Sequence, residues 1–250
     1  MLQIRNTTQC LLVNIRLSTR GPISTTTVLP VSKPAVVSVV SGLPRPKWRG
    51  AIHAGAFWLA LPAVVALIVL VDSTAGRAGA TVFGISMLCV YGVSSAYHRL
   101  AQSPRAQRLM RRLDHAMIFV LIAGTYTPIC LVSMPPPGRE LLLAAVWGTA
   151  IIGIGLKTWG KEWLLRHTNA LYIVMGWLGV AALPILFRTM SPTALGLMFA
   201  GGLLYTIGAV LFSFHRPDPI PHIFGYHEVW HLFTVLAGIS HFAMVAVLVA

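Results

Sequence analysis

Seven stretches of this chain are apolar for long enough to cross a bilayer, and nothing else in it limits the fold as strongly. A spanning helix needs about 20 mostly apolar residues to traverse roughly 30 Å of hydrocarbon. On that ruler the spans fall near 52–71, 80–98, 115–133, 141–156, 169–188, 193–213 and 228–249, the fourth being short. The connections are brief and rich in turn residues, such as "SMPPPGRE" and "RPDPIPHIFGY". No soluble domain fits between them. The expected fold is an all-α membrane protein, a seven-transmembrane helix bundle over residues 51–250.

Composition agrees. Charged residues make up 10% of the chain and hydrophobic ones 56%, with a mean hydropathy of +0.76. Soluble domains carry about 25% charged residues. The net charge of +13 is no sign of a nucleic-acid partner, because the bases sit in short clusters between apolar runs. The expected partner is membrane lipid, and the expected location the plasma membrane. Cys10, Cys89 and Cys130 have no CxxC spacing, so neither a disulfide framework nor a cysteine-based metal site is implied.

The loops orient the bundle. Sixteen Lys and Arg fall before the first span and in the loops on that side, and only Arg77, Arg139 and Arg188 on the other. That asymmetry predicts a cytoplasmic N-terminus and, with seven spans, an external C-terminus. Residues 1–50 contain no acid and are rich in Ser, Thr and Arg. They read as a basic, disordered tail, the resemblance to an organelle transit peptide being superficial.

Ionisable groups are costly in a membrane helix, so each raises a functional question. There are six acids: Asp72, Asp114, Glu140, Glu162, Asp218 and Glu228. Four sit in loops, where solvation suffices. Asp114 opens the third span and Glu228 the seventh. The predicted topology brings His98, Asp114, His227 and His231 to one leaflet, from three separate stretches of sequence. His227 and His231 are four apart and share a helix face. With His98 they make a three-histidine set, which leaves a fourth tetrahedral position open for water. Asp114 can orient a ligand or bond that water, and Ser94, four residues before His98, adds a hydroxyl on the same face. The alternative is that these histidines only pack. That is the expected role of His53, His115, His167, His215 and His222. His241 lies about 80° around the helix from His231 and about 15 Å along it, so it cannot share the ion.

The run "HEVWH" (residues 227–231) also spells a metalloprotease pattern, with Glu228 as its base. The third ligand fails to appear. Position 237 is Ala, no acid follows Glu228, and no later helix exists to bring one.

Three blocks, "SSAYHRL", "LDHAMIFVLIAGTYTPICL" and "FGYHEVWHLFTVLAGISHF", resemble the signatures of the hemolysin III family. This is the bacterial branch of the progestin and adipoQ receptor (PAQR) superfamily. The pattern is Ser-x₃-His, then Asp, then His-x₃-His, matched here by Ser94, His98, Asp114, His227 and His231. The resemblance implies Zn²⁺ held by His98, His227 and His231 near the cytoplasmic face. Its similarity to alkaline ceramidases implies a zinc-dependent amidase or esterase acting on a lipid, with Asp114 and Ser94 as catalytic residues. The alternatives it leaves open are a non-enzymatic cytolytic protein and a receptor-like sensor, each with structural zinc.

Overall fold

The computed structural model describes residues 46–160 and 162–250, with the side chains of 162–169 excepted. The chain runs α1 (Ala51–Leu70), α2 (Thr74–Leu100), α3 (Pro104–Ser133), α4 (Gly138–Trp159), α5 (Glu162–Trp177), a 3₁₀ segment (Leu178–Ala182), α6 (Leu183–Thr189), α7 (Pro192–Ser213) and α8 (Tyr226–Val249). Seven helical segments are long and apolar enough to cross a membrane, the fifth being built from α5, the 3₁₀ segment and α6. Most of the expected tail, with Lys161 and the side chains of Arg166 and His167, lies outside the described residues.

Serine sets three of the helix starts. Ser73, Ser103 and Ser191 each turn a side-chain oxygen onto the N–H of the third helical residue, at 3.1–3.2 Å. The last two are followed by proline, whose missing N–H costs nothing at a first helical position. The Ser103 cap corrects one expectation. Asp114 does not open its helix but lies eleven residues into it. The charges at Arg105, Arg108, Arg111 and Arg112 hid a helix that begins before its apolar run does. The fourth helix has 22 residues and is not short, for a similar reason: polar residues (Arg139, Glu140, Lys157) belong to its ends.

The fifth span breaks where Gly179 and Pro184 weaken it. Tyr126 of α3 mends the gap. Its hydroxyl donates to the Gly176 carbonyl (2.7 Å) and accepts from the Gly179 N–H (2.7 Å). In lipid a freed backbone group needs such a partner.

α2 lies along α3, α7 lies along α8, and α8 also touches α1, α2 and α3. Close approach of α2 and α3 depends on small residues, because a Cβ on Gly124 would meet the Ser86 hydroxyl at 2.1 Å. Phe83, Met87, Leu121, Ile129, Met244 and Val245 fill the main core. α2, α3 and α8 are therefore the interior helices, and they carry every site residue the sequence singled out.

Candidate metal centre

Antiparallel connection puts the start of α1, the end of α2 and the start of α8 at one end of the bundle. His98 is in the last turn of α2. His227 and His231 stand one turn apart in the first turns of α8. His98 and His231 are buried and His227 is half-buried. The Nε2 atoms of His98 and His227 are 3.1 Å apart. The three residues can each offer a ring nitrogen with all three within 4.8 Å of one another.

Those distances suit a shared ion. Nitrogens about 2.0–2.1 Å from a tetrahedral metal lie roughly 3.4 Å from each other. Nδ1 of buried His231 has no hydrogen-bond partner among the described residues. Three imidazoles and no carboxylate form a borderline-soft set suited to zinc and other late divalent metals. By donor type and spacing, these residues fit such an ion.

Ser94 is buried, one turn before His98, and lies beside the Asp114 carboxylate. Asp114 is half-buried and is not one of the three residues that could ligate. The structure thus pairs Ser94 with Asp114 and gathers the three histidines separately.

Glu228 is fully buried and both its oxygens are engaged. One is paired with Arg49 just before α1. The other accepts the Gly225 N–H at 2.9 Å, capping α8. The acid of "HEVWH" secures the helix start, each of its oxygens already holding a partner. Arg49 had counted only as an orienting charge. It belongs to a strap in which the N–H groups of Lys47 and Trp48 donate to the carbonyls of His222 and Ile223. Gly50 follows with φ of 79°, and a Cβ there would come within 2.7 Å of His98 Cβ. Residues 47–50, read from sequence as tail, therefore pack against the site. Asp218 also does more than meet solvent, since its Oδ1 accepts the Tyr226 N–H at 3.0 Å.

One more residue belongs to this end. His53 packs, as expected, and its partner is a ligating candidate: it stacks face to face on His231 with centroids 3.9 Å apart and planes 9° from parallel. A signal was present: His53 starts the first span and so shares the depth that singled out the other three. His215 and His222 lie exposed in the loop before α8, both with positive φ, and approach none of the three ligating candidates.

Residues 42–242 match the family described as haemolysin-III related. The chain is 37% identical over 184 residues to Hemolysin-3 of Bacillus cereus, covering 72% of this chain and 80% of that protein. To the Hemolysin-3 homolog of Bacillus subtilis (strain 168) it is 33% identical over 183 residues, covering 72% and 82%. It is also similar to the Adiponectin receptor protein of Drosophila melanogaster, at 29% over 179 residues, covering 64% of this chain and 40% of that one.

Proposed function

This chain belongs to the haemolysin-III related family, as a multi-pass membrane protein of the PAQR superfamily, and from that premise we propose that it is a zinc-dependent hydrolase of lipid amide or ester bonds. The observation that carries the reading is the convergence of His98, His227 and His231, with two nitrogens 3.1 Å apart. Bound zinc would supply Lewis-acid polarisation of a carbonyl and a water of lowered pKa. His98, His227 and His231 would hold it. Asp114 holds or accepts the proton that the reaction moves, with the Ser94 hydroxyl beside its carboxylate. The site lies in a bundle of membrane-spanning helices, so a lipid is the substrate class at hand. On the base asymmetry, this end of the bundle faces the cytoplasm and the C-terminus lies outside. A reporter fused after Ala250 should behave as exported, and a cytoplasmic signal would reverse the orientation.

The name of the Bacillus cereus relative, Hemolysin-3, supports a second reading, membrane lysis with structural metal. One experiment separates them. Purified protein is mixed with vesicles containing ceramide and ester lipids, with and without chelator, and both fatty-acid release and dye leakage are followed. Zinc-dependent acid release supports the hydrolase. Leakage with no bond cleaved, unchanged by chelator, would replace it with lysis.

A further inference from the structure

α1 is one of the three least buried spans, with little reason to hold a buried polar group. Only 17% of its apolar window is buried, and its buried residues are His53, Val64 and Leu67. Yet His53 is 3% exposed. It sits between two rings, His231 at 3.9 Å and nearly parallel, and Tyr91 at 5.2 Å and tilted by 44°. Neither of its nitrogens has a hydrogen-bond partner among the described residues.

Packing does not account for this choice of residue. A phenylalanine would fill the same slot and stack on His231, with no buried donor or acceptor left over. Each unpartnered polar group costs about 1–3 kcal/mol. Buried imidazole persists where something bonds to it, and a histidine that holds a metal ordinarily has its second nitrogen oriented by such a partner. We propose that His53 is a positioning residue of the histidine centre. Its ring fixes the plane of His231, and one of its nitrogens hydrogen-bonds a hydroxylic group, water or a lipid hydroxyl, lodged at the edge of the two stacked rings. The second contact needs nitrogen, the first only a flat ring.

The proposal rests on the metal reading above, so the test is metal binding in detergent without added lipid, followed by Co²⁺ absorption. Removing an outer partner of a ligating histidine typically weakens metal binding 10–100-fold. His53→Phe, which keeps the ring and loses both nitrogens, should bind Co²⁺ about 10–100-fold more weakly, with a shifted visible spectrum. His53→Gln, which restores a hydrogen-bonding side chain but not the stacked ring, should recover part of that loss. Recovery without lipid identifies the hydroxyl as water's. If the loss in His53→Phe emerges only when a hydroxylated lipid is added, the hydroxyl is the lipid's. Co²⁺ binding and spectrum unchanged in His53→Phe under both conditions would overturn the proposal. A His98→Ala, His227→Ala double variant that still binds Co²⁺ normally would instead remove the metal centre itself, whatever His53 does.

Discussion

His231 and His241 stand ten residues apart on α8, both buried, at 3% and 8% exposure. Their surroundings have little in common. His231 has imidazoles around it from α1, α2 and its own helix, with centroids at 3.9, 5.1 and 4.6 Å. His241 meets one phenol, Tyr205 at 5.6 Å, and its Nε2 lies 3.3 Å from the Met198 carbonyl. Gly201 makes the room, since a Cβ there would lie 2.2 Å from the His241 ring. Burial and residue type do not distinguish these two histidines. Convergence of like donors from separate helices does, and it marks His231 as part of a site and His241 as a packed, locally bonded side chain.

The largest effect should come from testing that contrast directly. Wild-type protein should carry about one zinc per chain, and His227→Ala with His231→Ala should retain under about a tenth of it, two of three protein ligands being gone. His241→Ala should keep full occupancy and lose about 1–3 kcal/mol of stability through its lost bond and filled space. Metal analysis beside thermal unfolding reads both. Zinc lost from the His241 variant and kept in the double variant would invert the comparison.

A smaller effect is expected at the carboxylate next to the cluster. Asp114→Asn preserves shape and the contact with Ser94 but cannot take a proton. If Asp114 serves the proposed hydrolysis, lipid turnover should fall about 10²–10⁴-fold, the usual contribution of a general acid or base. Zinc occupancy should hold, since Asp114 is outside the ligating group. Loss of the metal instead would make Asp114 a ligand or its immediate support. Unchanged turnover would remove it from the chemistry.

How much of this was legible beforehand depends on whether a feature is local. Seven apolar runs give seven spans, and the depth of each polar residue follows from counting them. His98, His227 and His231 could therefore be brought together without coordinates. What escaped was pairing between distant segments. Nothing local says that Tyr126 repairs the helix break at Gly176 and Gly179, fifty residues on. Arg49 looked like one more orienting base, although it pairs with a buried acid 179 residues away. His53 was passed over because a single histidine carries no spacing pattern. Its depth was as readable as that of the others, so that omission was one of weighting.

The smallest effect on the centre should come from Glu228, although it adjoins His227 in sequence and completes the protease pattern. Adjacency on a helix turns a side chain about 100° away from its neighbour. Here that turn takes the carboxylate to Arg49 and to the Gly225 N–H, while His227 faces His98. Glu228→Gln keeps the oxygen that caps α8 and removes the charge that holds Arg49. Arg49 is 19% exposed, so water partly replaces the lost partner. The expected cost is about 2 kcal/mol, below that of breaking a fully buried pair. Zinc occupancy and any lipid turnover should stay within about threefold of wild type, as no transition-state contact is removed. Thermal unfolding and metal analysis on the same preparation measure both halves of that expectation. A stable Glu228→Gln protein that keeps its zinc and has lost turnover would return the catalytic role to "HEVWH". The strap of residues 47–50 would then be what holds a working base in place, and Arg49→Ala should fail in the same way.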